Sequence, residues 1–281
     1  MKNFLYIILV IIFFPEVALS KISCPEGQDV CIVSVQKLLH RYNLIAINNT
    51  PHIASFYLDL ETDNIKSSKA IPMQFTLKGR TKYTIVQLRV KDIGKQSNFS
   101  ILYSWMHGNF MAKENNFAYK LPYQINKSFF VGQGFRSDKT HTGLNKYAID
   151  WNMPVGTPIH AARSGYVIEV KEDSSLSGRT TDFLDKANYI KILHKDGSIG
   201  VYAHLKHNGV IAKKGKFIPQ GSLIGYSGNT GYSTGPHLHF HVYKPYVYDG
   251  KIAELTIPFQ FSNCNSQTNF IPKEGKEYTS C

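Results

Sequence analysis

The sequence predicts a mainly β protein, in which a small N-terminal sandwich-like or barrel-like domain precedes a C-terminal domain built on an antiparallel sheet. Two observations predict this class: polar and apolar residues alternate with a period of two in both halves, and turn residues separate the alternating runs. The 43% of hydrophobic residues is enough to bury a core in each domain, which excludes an extensively disordered chain.

Residues 1–20 have the pattern of a signal peptide. Lys2 precedes an apolar run from Phe4 to Phe14, and the small residues Ala18 and Ser20 then match the usual cleavage pattern. The run is shorter than the roughly 20 apolar residues that cross a bilayer, and an uncleaved anchor is the alternative interpretation. We therefore expect an exported protein, periplasmic or secreted, with no stable membrane span in its mature chain.

Residues 21–120 are predicted to form the N-terminal accessory domain. Alternating runs at 56–60, 84–90 and 99–105 predict strands, and the turn sequences 78–80 and 92–95 separate them. Val33 to Tyr42 is the only stretch here that resembles a short helix. No catalytic constellation is visible in this half. Its three histidines are isolated in sequence and are expected to have surface or packing roles: His40, His52 and His107.

The four cysteines lie near the two ends of the mature chain. We favour the pairs Cys24–Cys31 and Cys264–Cys281, because these short loops close locally and export permits disulfides. A pairing that ties the two ends together is the open alternative. Residues 263–281 are thus predicted to be a tail with a disulfide, and the absence of a CxxC spacing disfavours zinc bound by cysteine.

The formal net charge of +12 is shared by both halves of the chain, and no basic tail is present. This distribution argues against a nucleic-acid arm, so no nucleic-acid partner is expected. It suits attraction to an anionic surface such as a cell wall.

Residues 121–262 are predicted to form the second domain, after a polar linker at 113–116. The runs Tyr189 to Leu193 and Ile199 to Ala203 flank Asp196-Gly197, which is a strong hairpin signal. Residues 173–186 form a polar insertion, and it either borders a groove or is a solvated connector.

The segment with the clearest chemical signal runs from Gly235 to Val242, where histidines alternate with apolar residues. In a strand, alternate side chains share a face, so the apolar residues are expected to pack inward while His237, His239 and His241 point together to the other side. By itself this pattern also occurs on the polar faces of ordinary strands.

A second cluster strengthens the interpretation. His141 and Asp150 lie upstream, and together with a strand histidine they supply two imidazoles and one carboxylate. Three such protein ligands with one open position are typical of catalytic zinc sites. His204, at the end of the predicted hairpin, supplies a further imidazole.

Residues 121–245 resemble the lysostaphin-type, or LytM-like, zinc metallopeptidases, which cut the peptide part of bacterial peptidoglycan. The resemblance implies that His141, Asp150 and His239 bind one Zn²⁺ per chain, that His204 and His237 are catalytic, and that zinc lies on the floor of a groove. The motifs that carry it follow one another in order: Gln133-Gly134, His141 to Asp150, Pro154 to Ile159, Ala161 to Gly165, Tyr202 to Leu205, Gly225 to Gly231 and Gly235 to Phe240.

Two features depart from the familiar form of the motif. His141 and Asp150 are nine positions apart instead of four; we expect a longer loop to absorb this, and we favour Asp150 over Asp138 as the ligand. His241 stands where the motif usually has Glu, and it either supports the site or occupies an exposed strand position. The remaining histidines near the motifs are expected on the surface: His160, His194 and His207.

The predicted function is hydrolysis of peptide bonds in peptidoglycan cross-links or stem peptides by water that zinc activates. His204 and His237 would exchange protons with the water and the leaving amine, or stabilise the oxyanion. No HExxH or GxSxG motif supports another peptidase class. The alternatives are a catalytically inactive wall-binding regulator of other murein hydrolases and a secreted peptidase of glycine-rich proteins.

Overall fold

The computed structural model describes residues 22–113, 117–262 and 268–281; the predicted signal peptide and Cys264 lie outside this part. Its regular structure is strand apart from two short 3-10 turns, Gly143–Asn145 and Thr181–Phe183, which confirms the mainly β prediction. No helix within the described residues has the length and apolar character to span a membrane. The strands are β1 (Val30–Leu38), β2 (Arg41–Asn48), β3 (Ala54–Asp63), β4 (Ile65–Ser67), β5 (Met73–Leu77), β6 (Thr81–Val90), β7 (Asn98–His107), β8 (Ala118–Tyr119), β9 (Ser128–Gln133), β10 (Ala148–Asn152), β11 (Pro158–His160), β12 (Gly165–Lys171), β13 (Ser177–Gly178), β14 (Tyr189–Leu193), β15 (Ile199–Ala203), β16 (Leu205–Val210), β17 (Phe217–Ile218), β18 (Leu223–Ser227), β19 (Gly231–Tyr232), β20 (His237–Tyr248), β21 (Lys251–Thr256), β22 (Gln260–Ser262), β23 (Asn269–Phe270) and β24 (Glu277–Thr279).

The described chain divides into two compact units. The first consists of residues 22–110 with Pro245–Ala253, and the second of the described residues of 111–244 and 254–281. The first unit thus takes in a stretch that the sequence analysis assigned to the C-terminal domain.

The first unit contains two antiparallel sheets with the strand orders β1-β2-β6-β4 and β5-β3-β7. Inward-facing side chains from both sheets form one core, because alternate residues of each strand are apolar. Its fully buried large side chains include Leu44 and Leu88 from the first sheet and Phe56 and Leu58 from the second.

The predicted helix at Val33 to Tyr42 is wrong. β1 runs through Leu38, the chain reverses at His40 with a φ of 65°, and β2 begins at Arg41. Both faces of β1 are apolar, since Val30 and Ile32 belong to the main core while Cys31 packs in a second cluster with Ile45 and Ile47 of β2. Covering both faces removes the simple alternation that would have identified the strand.

One predicted disulfide is present, between Cys24 and Cys31. It fastens the chain before β1 to that strand, and Cys24 packs with Ile22 against the cluster on the second face of β1. The other predicted pair involves Cys264, outside the described residues.

The second unit is organised around a sheet with the order β17-β12-β14-β15-β20-β10-β9-β24, in which β21 also pairs with β20. β14 and β15 match the predicted hairpin, so that prediction is confirmed. On β20 the apolar residues Leu238, Phe240 and Val242 are fully buried, while the alternating histidines occupy the opposite face. This face of the central strand carries the candidate site.

The polar insertion at 173–186 is attached to the loop that precedes β20. β13 within the insertion pairs in parallel with β19, and the Gly231 amide donates a hydrogen bond to the Leu176 carbonyl. Gly231 has a φ of +81°, and a Cβ there would lie 2.6 Å from Ala187, so this close approach requires glycine.

Candidate active site

Strand pairing places the sequence-predicted residues together on the central sheet. Asp150 of β10 is the direct register partner of His239 of β20, and on the other side of β20 the partner of His239 is Ala203 of β15. His204 follows Ala203 immediately. Directly opposed residues on neighbouring strands have close side chains, so the pairing itself assembles most of the site.

His141, Asp150 and His239 form a three-donor group whose ligand atoms all lie within 4.8 Å of one another. Asp150 Oδ1 lies 2.8 Å from His239 Nδ1 and 3.3 Å from His141 Nε2. His141 and Asp150 are buried, and His239 is partly exposed. Asp138, the alternative to Asp150 considered above, is exposed and lies outside this group.

The long connection between His141 and Asp150 is accommodated by the 3-10 turn at Gly143–Asn145. The buried Thr256 hydroxyl donates to the Leu144 carbonyl at 2.8 Å and accepts from the Tyr147 amide at 3.1 Å. These contacts anchor the loop on the strand that follows β20. The unusual spacing is therefore compatible with a shared site.

The His141 ring is held by its Nδ1, which lies 2.9 Å from the Gly134 carbonyl oxygen. Because a carbonyl can only accept, Nδ1 carries the proton and Nε2 presents its lone pair. That Nε2 is buried and has no hydrogen-bond partner among the described residues. An imidazole lone pair shut away from solvent and aimed at a carboxylate fits a metal ligand better than it fits an apolar core.

Gln133 supports the site, although the sequence analysis noted it only as part of a motif. Its Nε2 donates to Asp150 Oδ2 at 2.7 Å, and its Oε1 accepts from Thr140 Oγ1 at 3.1 Å. Gln133 is also the register partner of Asp150 on β9. One amide therefore fixes the carboxylate and the residue that precedes His141.

The Asp150 carboxylate is kept ionised. Its burial would raise its pKa, but the neighbouring His141 and His239 rings hold that pKa well below its usual range. At neutral pH the carboxylate is therefore anionic, which suits the binding of a divalent cation.

His204 and His237 form a pair beside this group, with ring centroids 4.4 Å apart; the His204 ring lies 5.8 Å from that of His239. His204 Nδ1 contacts the Thr230 carbonyl at 2.6 Å, and His237 Nδ1 contacts the Gly235 carbonyl at 2.8 Å. Each ring therefore donates from Nδ1 and keeps Nε2 as an acceptor. Burial lowers both pKa values, that of His204 to about 3, so both imidazoles are neutral at pH 7.

The structure places two other histidines whose positions the sequence left open or predicted differently. His241 lies against His239, with its Nδ1 2.8 Å from His239 Nε2, and is only partly exposed. His194, which was expected on the surface, is buried, so that prediction is wrong: its Nδ1 contacts the Ser164 carbonyl at 2.9 Å and its ring packs on Tyr119. The end of β14 turns it inward, and sequence alone did not indicate this.

The donor set fits a zinc ion. Two imidazole nitrogens and one carboxylate oxygen are the ligands of catalytic zinc sites that keep one position open. In this protein the set combines a buried unpartnered nitrogen with an ionised buried carboxylate. Fold and site together define a β-sheet domain with a candidate catalytic metal site.

Comparison with known proteins agrees with these motifs. Residues 144–252 match the model described as peptidase family M23. The resemblance that the motifs indicated is confirmed.

Several curated proteins are similar to part of this chain. An uncharacterized metalloprotease of Buchnera aphidicola subsp. Baizongia pistaciae (strain Bp) is 40% identical over 95 residues, which are 34% of this chain and 22% of that protein. The peptidoglycan DD-endopeptidase ShyA of Vibrio cholerae is 30% identical over 124 residues, 43% of this chain and 26% of the relative. Lysostaphin of Staphylococcus staphylolyticus is 38% identical over 95 residues, 34% of this chain and 18% of the relative. The chain thus spans about a quarter or less of the length of these relatives.

Among solved structures, the catalytic domain of lysostaphin from Staphylococcus simulans has 27% sequence identity and a TM-score of 0.32. The match covers 46% of this chain and 88% of that one.

Proposed function

We propose that this protein is an exported, zinc-dependent endopeptidase that hydrolyses peptide bonds of bacterial peptidoglycan. The observation that carries the proposal is the juxtaposition of the His141–Asp150–His239 donor group with the His204–His237 pair. The names of related proteins support the substrate class, since they include peptidoglycan DD-endopeptidases and a glycyl-glycine endopeptidase.

In this proposal, His141 Nε2, Asp150 and His239 Nδ1 hold the zinc ion. When bound, zinc supplies Lewis acidity, which polarises a carbonyl and makes water a stronger acid. The chain's own residues handle protons and orientation. Asp150 supplies the negative charge of the site, and Gln133 keeps that carboxylate in place.

His204 and His237 are the proposed proton carriers. Both are neutral at pH 7 and keep an Nε2 lone pair, so either can take a proton from the attacking water and return it to the leaving amine. The carbonyls of Thr230 and Gly235 fix the rings, and they stabilise each imidazolium because its Nδ1–H donates to them.

The test is cleavage of isolated peptidoglycan by the purified, zinc-loaded protein, with the released fragments identified by mass spectrometry. One substrate should contain D,D cross-links and another glycyl-glycine bonds, because the relatives' names point to both kinds of bond. We expect new peptide termini from one substrate and none after His239→Ala or chelation. A protein that binds zinc and wall material but releases no fragment would contradict the proposal and favour the regulatory alternative.

Export is the second part of the proposal, supported by the signal-peptide pattern of residues 1–20. We expect the mature chain to begin at Lys21 when the full sequence is expressed in a bacterium. N-terminal sequencing of protein from the periplasm or medium checks this. An uncleaved chain in the membrane fraction would contradict it.

A further inference from the structure

His241 is the third histidine of β20 and lies on the same face as His237 and His239. Its Nδ1 atom is 2.8 Å from Nε2 of His239, a normal hydrogen-bond distance. It also opposes Ala148 of β10 and Val201 of β15, so strands on both sides confine its position.

The other ring nitrogen of His239, Nδ1, determines which of the two histidines donates in this hydrogen bond. His239 Nδ1 faces Asp150 Oδ1 and is the atom available to a metal, so in the metal-loaded protein it carries no proton. Neutral His239 then has its only proton on Nε2, which donates to His241 Nδ1. His241 must keep its own proton on its Nε2.

This arrangement has an energetic cost at Nε2 of His241. His241 Nε2 is buried and has no hydrogen-bond partner among the described residues. A histidine retained only for packing would be expected to satisfy its N–H group. This one leaves a buried donor unsatisfied and points its acceptor at a metal ligand.

We propose that His241 is a positioning residue: it accepts the Nε2 proton of His239 and thereby holds the Nδ1 lone pair of His239 toward the metal. The inference rests on the proposed function, because it assumes that His239 is a zinc ligand. It assigns a role in metal binding to the residue that departs from the usual motif.

The experiment measures zinc affinity of the full chain by competition with a chromophoric chelator, independently of peptidase activity. His241→Phe and His241→Leu lack an acceptor, whereas His241→Gln keeps a side-chain oxygen that can accept from His239. We expect about 10- to 100-fold weaker zinc binding for the Phe and Leu variants, the range typical of outer contacts to metal ligands, and about threefold or less for the Gln variant.

His194→Phe is the matched control. His194 is also a buried histidine with an unpartnered Nε2, but its Nδ1 contacts a backbone carbonyl and no ligand of the candidate site. We expect its zinc affinity to equal that of the wild type. Thermal unfolding of the metal-free proteins selects the variants that fold, and two acceptor-free variants are included for this reason.

Wild-type zinc affinity in a folded Phe or Leu variant would overturn the proposal, as would equal losses in all three His241 variants. If the wild type binds zinc but cleaves no peptidoglycan, the proposed function fails while the affinity comparison still tests His241. If the wild type binds no zinc, the role of His241 and the metal site fail together.

Discussion

At the residue scale, the histidines of the site differ in which ring nitrogen they present. His141, His204 and His237 each donate from Nδ1 to a backbone carbonyl and so present Nε2. His239 is reversed, since its Nδ1 faces Asp150 and its Nε2 faces His241. The backbone therefore fixes three rings and side chains fix the fourth, so the proposed ligand group contains one ring of each kind, His141 and His239.

Replacing either proposed proton carrier, His204 or His237, should reduce catalysis without reducing zinc binding. We expect His204→Ala and His237→Ala to retain zinc near one equivalent but to lose about 10²- to 10⁴-fold in kcat, because each removes a proton-transfer group and no ligand. Zinc content and peptidoglycan cleavage are measured on the same preparation. Loss of zinc in either variant would show that it is a ligand.

Gln133 should influence zinc binding without contacting zinc. Gln133→Leu removes the donor to Asp150 and the acceptor for Thr140, so we expect about tenfold weaker zinc binding. Gln220→Leu is the control, since Gln220 donates to the Ala162 carbonyl instead. Chelator competition compares the zinc affinities of the two variants. Equal affinities would show that Gln133 does not contribute to zinc binding.

At the element scale, the site depends on β20 and on the loops that approach it. His204 has a φ of +62° after β15, and its ring is held by Thr230 in the loop between β18 and β19. Gly228 in this loop lies against the start of β16: a Cβ there would be 2.4 Å from the Lys206 amide nitrogen. Loop and strand are thus packed too closely for any side chain at residue 228.

Gly228→Ala should therefore displace the loop that orients His204. We expect a loss of about 1–3 kcal/mol in the free energy of unfolding, together with reduced peptidase activity and retained zinc. Gly94→Ala is the control, because its nearest contact would be 3.5 Å away. Urea unfolding measures both, and a Gly228 variant as stable and active as the control would contradict this packing.

At the scale of the whole molecule, buried neutral histidines link folding to pH. Burial lowers the pKa of His194 to about 4 and that of His241 to about 3, below the value of 6.5 for an exposed histidine. Between these values the unfolded chain binds protons that the folded chain does not. The free energy of unfolding therefore rises with pH across this window and falls as the solution is acidified below pH 6.5.

His194→Phe should weaken this dependence. Removing one such histidine lowers the slope by at most about 1.4 kcal/mol per pH unit between pH 6.5 and 4. Urea unfolding of the metal-free protein at several pH values measures the slope. An unchanged slope would mean that His194 is protonated in the folded protein.

The strands that the sequence predicted well carry a local signal. β14 and β15 flank an Asp-Gly turn, and β20 alternates histidine with fully buried Leu238, Phe240 and Val242, so a local pattern is sufficient. β1 was predicted wrongly because both of its faces are covered, which removes the period-two alternation. The residues that cover the two faces of β1 lie elsewhere in the sequence, so the local pattern of β1 does not indicate that both faces are buried.

By itself, the sequence determined the fold class and the residue types of the site, because period-two alternation and His/Asp motifs are local properties of the chain. Only the tertiary structure decided which atoms of those residues meet. The approach of Asp150 to His141 and His239, the support from Gln133 and the contact of His241 with His239 all depend on strand register and on loops. A hydrogen bond requires its donor and acceptor to lie about 3 Å apart in a suitable orientation, and only the folded backbone fixes that distance and orientation.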